Sequence, residues 1–199
     1  MSFPISVPST NYRVELQAGV HILRLDSHEG TNRLTRECVL GLTLAIETLA
    51  ARPQPLVITG SERYFSVGAD LSEISALDGA SALEFSKMGQ VLMSAIQDFP
   101  APVCAAISGY CMGGGLDLAL ACHRRIASPH TIFGHRGAAL GLITGWGGTQ
   151  RLPRLIGKGR ALEMFVAAEK VDARRALRIG LVDAIADDPV AEAIRILQE

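Results

Sequence analysis

Residues 101–122 read APVCAAISGYCMGGGLDLALAC, and this stretch decides the fold class. Its first eight residues form a continuous apolar run, which is typical of a strand buried on both faces of a parallel sheet. Three consecutive glycines at 113–115 then predict a turn, and residues 115–122 are apolar enough for a buried helix. The whole stretch approaches the length of a membrane span, but the glycines and Asp117 interrupt it. We therefore predict a buried strand, turn and helix, and no membrane association.

The alternation of strand and helix extends in both directions from this stretch. It predicts strands over 20–26 and 55–60, a helix that begins after Thr35 and runs to about residue 51, a short helix over 70–77, a longer one over 80–99, one or two short strands over 124–134, and helices from Lys158 onward with breaks at Gly180 and Pro189. Such alternation is typical of an α/β fold with a mostly parallel sheet and right-handed crossovers.

The predicted domain organisation is simple. The length of 199 residues indicates one domain over 1–199. The first fourteen residues, rich in Pro and Ser, predict a loose arm at least over 1–11. A short terminal helix is expected over about 188–199.

Composition excludes several classes of protein. Hydrophobic residues make up 48% of the chain, so an intrinsically disordered protein is excluded. The formal net charge of −1 provides no general attraction to nucleic acid or to an anionic membrane. The four cysteines form no C-x-x-C pair, and no basic segment followed by an apolar one opens the sequence. These features predict reduced cysteines and a cytoplasmic location.

Two glycine-bearing turns are candidates for the functional site. One is FSVGAD (65–70), between a predicted strand and helix, and the other is SGYCMGGGLDLALA (108–121). Backbone N–H groups in the first turn of a helix lack intrahelical partners and carry positive dipole character. Two such turns facing each other would direct two N–H groups at one oxygen, as in an oxyanion hole for a thioester carbonyl. The alternative is that these glycines serve only helix–sheet packing.

Other motif interpretations are weaker. The Rossmann G-x-G-x-x-G and the P-loop G-x-x-x-x-G-K-[ST] patterns are absent. GYCMG (109–113) matches the nucleophile elbow G-x-S-x-G with Cys111 in place of serine, and Asp117 and His135 follow it in the order acid, then histidine. A Cys–His–Asp hydrolase is therefore one alternative, and a packed, unreactive Cys111 is the other.

Four ordered blocks resemble one family, the crotonase (enoyl-CoA hydratase/isomerase) superfamily. The resemblance covers about residues 12–187, and its blocks are FSVGADL, AAISGYCMGGGLDLALAC, FGHRGAALGLITGWGGTQRLPRLIGKGRALEM and AEKVDARRALRIGLVD. It implies the ClpP/crotonase-like fold of repeated ββα units. Members typically continue for several tens of residues as helices, so a truncated C-terminal helical region is expected here.

The resemblance also implies a site. The amides of Ala69 and Gly114 are expected to form the oxyanion hole for the thioester oxygen of an acyl-CoA. The acyl-CoA channel is expected to involve Val67, Gly68, Asp70, Leu71 and Gly113. The family resemblance implies no metal and no redox cofactor, because coenzyme A enters as part of the substrate. It also implies a homo-oligomer, either a trimer or a hexamer.

The chain departs from the family pattern at the acid–base positions. Hydratases of the family use two glutamates, of which the first corresponds to Asp117 and the second to Gly137. Gly137 has no side chain, so the paired carboxylates needed for water addition are incomplete. A related isomerase subgroup carries an aspartate near a position that is Gly145 here.

Two neighbours of Gly137 are candidate replacements for its missing carboxylate. His135 is able to carry a proton near neutral pH, and Arg136 is suited to holding a substrate carboxylate. The alternatives are a surface histidine and an ion-paired arginine, and Asp117 has the alternative of serving only the helix dipole. Trp146 is either a pocket wall or a core residue.

Three functions remain open from the sequence. The nominal one is enoyl-CoA hydration or isomerisation through an enolate. The second is decarboxylation or hydrolysis of an acyl-CoA, and the third is acyl-CoA binding without catalysis in an assembly subunit.

Overall fold

The computed structural model describes residues 11–199. Its strands are β1 (Tyr12–Gln17), β2 (Val20–Leu25), β3 (Arg33–Leu34), β4 (Leu56–Thr59), β5 (Tyr64–Ser66), β6 (Gly68–Ala69), β7 (Val103–Ile107), β8 (Tyr110–Met112), β9 (Arg124–Ala127), β10 (Ile132–Gly134), β11 (Val171–Asp172) and β12 (Ala184–Ile185). Its helices are α1 (Arg36–Ala50), α2 (Leu71–Ser75), α3 (Gly79–Gln97), α4 (Gly114–Ala121), α5 (Gly148–Ile156), α6 (Lys158–Val166), α7 (Ala173–Ile179) and α8 (Pro189–Leu197), with one 3₁₀ turn at Gly137–Leu140.

The strands form three sheets. The largest has six strands in the order β1-β2-β4-β7-β9-β12, parallel throughout except for the antiparallel pair β1–β2. A second sheet has the order β11-β10-β8-β5, and β3 pairs with β6 in a third. These pairings confirm the mostly parallel arrangement predicted from the apolar strands. The central strands β4 and β7 are buried at every position, as is typical of a parallel sheet that is covered on both faces.

A ββα unit recurs along the chain. In the units that begin at β2, β4, β7 and β9, the first strand enters the six-stranded sheet and the next strand enters one of the smaller sheets before a helix follows. This is the repeated ββα architecture expected for a crotonase-type α/β fold. Because each unit places its second strand and its helix start on the same side, the functional turns converge there.

Apolar side chains fill both faces of the six-stranded sheet. The larger cluster packs α1, α3 and α4 against one face, and it includes Leu23, Ile58 and Ile107. The smaller cluster packs α8 against the other face through Ala193 and Ile194. No helix among residues 11–199 is both long enough and apolar enough to cross a membrane.

Side-chain caps explain where the helices begin. The Thr35 hydroxyl accepts from the backbone N–H of Cys38, so α1 starts where its sequence pattern predicts. Asp78 and Ser81 form a reciprocal capping box at the start of α3. Asp188 caps α8, whose first residue is proline, which confirms the expected terminal helix.

Two expectations about the chain ends need correction. The arm expected over 1–11 lies outside the described residues except for Asn11. Residues 12–14, which end the Pro/Ser-rich stretch at the start of the sequence, belong to strand β1. The region from Lys158 onward is not purely helical, because β11 pairs with β10 and β12 pairs with β9. These two-residue strands are defined by their distant partners, so local periodicity did not reveal them.

A buried arginine attaches the segment before β12 to the sheet. Arg125 is 5% exposed. Its guanidinium donates to the carbonyls of Leu181 and Cys122 at 2.9 and 2.8 Å and contacts the Asp183 carboxylate at 3.4 Å. Three acceptors in different directions match the planar fork of arginine and not the single ammonium of lysine.

We expect Arg125→Lys to lower the free energy of unfolding by ~2 kcal/mol, because the variant leaves buried carbonyls without a donor. The measurement is denaturant unfolding followed by circular dichroism. The matched control is Arg124→Lys, since Arg124 is the exposed neighbour on the same strand and its change is expected to stay within ~0.5 kcal/mol. Equal stabilities of the two variants would contradict this role for Arg125.

Candidate active site

A cavity of about 310 Å³ opens beside the start of α4. Its walls come from β6 and α2, from the middle of α3, from the first turn of α4 and from the segment 135–146. Most of its lining is apolar, with Leu71, Phe85 and Leu140 among the large side chains. The volume and lining are typical of a small-molecule site.

The two glycine turns meet at the wall of this cavity. A Cβ atom placed on Gly114 would lie 3.3 Å from the backbone nitrogen of Ala69, and one placed on Gly68 would lie 2.7 Å from the nitrogen of Gly114. Gly68 and Gly113 have φ angles of +91° and +52°, which glycine adopts without strain. The missing side chains therefore let β6 approach the first residue of α4 directly. The N–H of Gly114 has no acceptor within its own helix, because it is the first helical residue.

Trp146 holds the opposite side of the same wall. Its indole N–H donates to the Phe85 carbonyl at 3.2 Å, and the two rings lie 5.3 Å apart. The indole occupies the space where Gly89 and Gly114 would otherwise carry side chains. Trp146 is thus both a pocket wall and a core residue, and the two alternatives posed by the sequence are compatible.

A buried carboxylate and imidazole lie one helical turn beyond Gly114. Asp117 is 1% exposed and His135 is 4% exposed, and both line the cavity. His135 Nε2 lies 3.2 Å from Asp117 Oδ1, although the ring N–H is not aligned for a hydrogen bond, and neither atom has another hydrogen-bond partner among the described residues. Asp117 Oδ2 accepts a short hydrogen bond from the Thr144 hydroxyl. The His135 ring packs against Phe165, with centroids 5.1 Å apart.

The start of α5 closes over this pair. A Cβ atom on Gly148, the first residue of α5, would collide with Asp117 Oδ1 and lie 3.0 Å from His135 Nε2. The partial positive charge at a helix N-terminus favours a carboxylate at this place. The sequence carries no signal for Thr144 or Gly148, because their proximity to Asp117 depends on how the segment 137–147 folds back over α4.

Two arginines contribute charge near the cavity. Burial lowers the pKa of the Arg151 guanidinium, and the nearby Asp117 carboxylate opposes that shift. Arg136 lines the cavity and has no ion-pair partner among residues 11–199. The alternative prediction, that Arg136 is held in an ion pair, is therefore wrong for this part of the chain. His135 is buried in the cavity wall, so the alternative of a surface histidine is also wrong.

The structure brings most of the predicted site residues to the cavity. The residues that line it are Val67, Ala69, Leu71, Gly113, Gly114, Asp117, His135, Arg136 and Gly137. Two predicted residues do not line it, namely Gly68, which lies beneath the wall, and Asp70. Asp70 caps α2, and the backbone N–H of Glu73 together with Arg33 lowers the pKa of its carboxyl. Asp70 therefore has a structural role, and its predicted contact with acyl-CoA stays a prediction.

Gly137 leaves less room than its missing side chain suggests. A Cβ atom at this position would lie 2.6 Å from the carbonyl oxygen of Leu142. The amide of Leu142 also donates to the Gly137 carbonyl at 2.8 Å, which fixes the two backbones together. A glutamate at Gly137 therefore requires a shift of the backbone, so this position is closed to a second carboxylate in this conformation.

The cysteines lie away from this chemistry. All four are buried, and burial raises the pKa of the Cys38 and Cys104 thiols to about 12. Burial also raises the pKa of Cys111 well above its ordinary value, and Cys111 does not line the cavity. The structure therefore supports a packed Cys111 over the nucleophile of a Cys–His–Asp hydrolase. Among residues 11–199, no group of three or more His, Cys, Asp or Glu side chains is placed to hold a metal ion.

Comparisons with known proteins show which family this chain resembles. The family model described as enoyl-CoA hydratase/isomerase matches residues 15–199. A crotonyl-CoA hydratase of Syntrophomonas wolfei is 35% identical over 88% of this chain and 68% of its own length. A probable enoyl-CoA hydratase of Bacillus subtilis is 44% identical over 67% of this chain and 52% of its own.

Solved structures show the same fold. The DspI protein of Pseudomonas aeruginosa is 37% identical with a TM-score of 0.90, over 96% of this chain and 74% of that one. An enoyl-CoA hydratase of Bacillus anthracis is 32% identical with a TM-score of 0.89, over 94% of this chain and 75% of that one. The chain spans only one fifth of another curated relative, the fatty acid oxidation complex subunit alpha of Shewanella halifaxensis, at 44% identity over 70% of this chain.

We expect the native protein to react with Ellman's reagent at pH 8 at least ~100-fold more slowly than the unfolded chain, because the thiols are enclosed and protonated. The measurement is the rate of thiol release in buffer and in denaturing guanidinium, where all four cysteines are accessible. One fast-reacting thiol in the native protein would contradict the packed assignment of Cys111.

We expect Gly89→Ala to destabilise the fold by ~1–3 kcal/mol, because the new methyl group overlaps the Trp146 indole. The fluorescence of Trp146, the only tryptophan, should shift to longer wavelength as the ring is displaced. The matched control is Gly79→Ala at the start of the same helix, where a Cβ atom meets nothing within 4 Å. An unchanged spectrum and stability in Gly89→Ala would contradict this packing.

Proposed function

The chain belongs to the enoyl-CoA hydratase/isomerase family, and we propose that it binds an acyl-CoA thioester in the cavity and stabilises the enolate formed from it. The observation that carries this proposal is the direct approach of β6 to the first residue of α4. That approach places the amide nitrogens of Ala69 and Gly114 together at the cavity wall.

The two amides supply the chemistry that an enolate needs. When a proton leaves the carbon next to a thioester, negative charge develops on the carbonyl oxygen. Two backbone N–H groups directed at that oxygen stabilise the charge without reorganising during the reaction. The N-terminal dipole of α4 adds to this stabilisation, because Gly114 is its first residue.

The rest of the cavity suits an acyl chain. Ile74, Leu77, Leu140 and Ile143 provide apolar walls, while polar side chains are concentrated around Asp117. The thioester therefore has one polar end for reaction and one apolar region for its chain. Coenzyme A enters this proposal as part of the substrate, and the proposed reaction uses no metal or redox cofactor.

The nominal reaction is enoyl-CoA hydration or isomerisation. A second candidate, decarboxylation or hydrolysis of an acyl-CoA, is favoured by one specific observation. Arg136 lines the cavity and has no ion-pair partner among residues 11–199, so it is free to hold a carboxylate carried by the acyl group. We further propose a cytoplasmic homo-oligomer, a trimer or hexamer, which agrees with exposed apolar residues such as Leu162 and Val166.

We expect calorimetric titration to show tighter binding of acetoacetyl-CoA than of free CoA, because only the thioester has a carbonyl for the two amides. Gly114→Pro removes one N–H at a helix position that tolerates proline, and it should weaken thioester binding by a further ~10–100-fold relative to Gly114→Ala. Both variants add a Cβ atom against Trp146, so that collision is common to them. They differ in the N–H group and in the two further ring carbons of proline.

Equal thioester affinity in Gly114→Ala and Gly114→Pro would overturn the proposed oxyanion hole. Binding of acetoacetyl-CoA with no turnover of any enoyl or dicarboxylic thioester would support the non-catalytic alternative. Turnover of a malonyl-type thioester that is lost in Arg136→Gln would support decarboxylation instead.

A further inference from the structure

The inference concerns which side chain moves the proton, and it rests on the proposed function. We propose that His135 is the acid–base group of this site, that Asp117 and Thr144 position it, and that this arrangement suits a proton shift between two carbons of an enoyl thioester in preference to water addition. The proposal stands on the buried pair Asp117–His135 at the cavity wall.

Asp117 is poorly placed to reach a substrate itself. One carboxylate oxygen accepts from Thr144, and the other lies 3.2 Å from His135 Nε2. Although Asp117 lines the cavity, its side chain is 1% exposed and the start of α5 packs over Oδ1, so protein groups cover most of the carboxylate. Asp117 therefore acts through the imidazole, so we assign it as a positioning residue.

His135 is fixed by these contacts and keeps one nitrogen available. Its Nε2 atom is buried beside Asp117. Its Nδ1 atom is not fully buried and makes no hydrogen bond to the described residues. The ring also packs on Phe165. His135 Nε2 lies 3.2 Å from Asp117 Oδ1, so a small rotation of the ring would align an Nε2–H with the carboxylate. That tautomer leaves Nδ1 as the basic nitrogen, and the carboxylate stabilises the imidazolium that forms.

The His135 imidazole lies beside α4, one helical turn from the Gly114 amide. Asp117 follows Gly114 by three residues on α4, so the two share one face of the helix a turn apart. His135 contacts that face from the segment after β10, and it lines the same cavity as Ala69. The proton-carrying group and the two amides are therefore directed at one bound thioester.

The proposed step balances without a co-reactant. The His135 nitrogen takes a proton from C2 of a 3-enoyl thioester, and the C–H electron pair moves through the conjugated system onto the carbonyl oxygen held by the two amides. The imidazolium then returns the proton to C4, the electron pair leaves the oxygen, and the double bond lies between C2 and C3. One base performs both transfers, whereas water addition needs a second group to activate the water. Gly137 does not provide that second group.

The elements packed against Asp117 and His135 contribute other charged or titratable side chains. The Asp117 carboxylate interacts with Arg151 of α5 and with Cys111 of β8, and Arg136 lies next to His135 on the cavity wall. Burial raises the pKa of the Cys111 thiol well above its ordinary value, so this thiol is not a proton carrier for the pair.

The test is the conversion of trans-3-hexenoyl-CoA to its 2-enoyl isomer, followed by absorbance and, in D₂O, by NMR of deuterium incorporation. We expect His135→Asn to lower kcat by ~100-fold or more, with acetoacetyl-CoA affinity within ~3-fold of wild type. Asp117→Asn should lower kcat by ~10–100-fold and change the pH profile, because the imidazolium loses its anionic partner. The matched control is His130→Asn, which changes an exposed histidine outside the cavity and should leave kcat unchanged.

A milder variant protects the test from loss of folding. Thr144→Val removes only the hydroxyl that donates to Asp117, and it should lower kcat by ~3–10-fold with KM unchanged. A higher KM with an unchanged kcat would indicate that Thr144 has only a structural role, and it would overturn the positioning assignment.

The remaining outcomes separate the two proposals. Failure of the wild type to bind acetoacetyl-CoA overturns the proposed function itself. Binding with isomerisation that survives His135→Asn overturns the role of His135. Binding without isomerisation, or hydration of crotonyl-CoA faster than isomerisation, overturns the preference for a proton shift.

Discussion

The close contact between β6 and the start of α4 determines the shape of the whole site. Gly68 approaches the Gly114 nitrogen so closely that a side chain at either position would push the two segments apart. Trp146 then occupies the space above Gly114 and reaches across to Gly89 on α3. Three missing side chains and one large ring therefore set the distances between β6, α4 and α3. The cavity exists because the backbones of β6 and α4 are in direct contact on one side, while the Trp146 indole keeps α4 and α3 apart on the other side.

The polar part of the site follows from the same helix. Because α4 starts at Gly114, its fourth residue, Asp117, is buried under the segment that returns from β10. A buried carboxylate is costly unless it has partners. Here Thr144 donates to Asp117 Oδ2, His135 Nε2 lies 3.2 Å from Oδ1, and α5 begins directly over the carboxylate. Under our proposal, the imidazole beside this one carboxylate moves the proton, where the family resemblance implies two carboxylates.

Much of the fold was predictable because its signals are local. The Thr35 cap, the apolar strands β4 and β7 and the glycines before α4 each carry a pattern in a few consecutive residues, and the structure confirms them. The short strands β11 and β12 carry no such pattern, because two residues become a strand only when a distant partner pairs with them. Asp70 caps α2, which the sequence did not reveal, and its place in the acyl-CoA channel stays a prediction.

The sequence by itself determined the alternation of strands and helices and the two glycine turns that form the cavity wall, because glycine and apolar patterns specify backbone geometry locally. The family and the ββα architecture followed from the resemblance of four ordered blocks. Only the tertiary structure decided that His135 is buried against Asp117, that Thr144 donates to the same carboxylate, and that Gly137 has no room for a side chain beside Leu142. The physical reason is that the contacts of Asp117 join separate elements of the chain, whereas the Gly137–Leu142 contact depends on how an irregular segment folds back on itself. No local pattern encodes either arrangement.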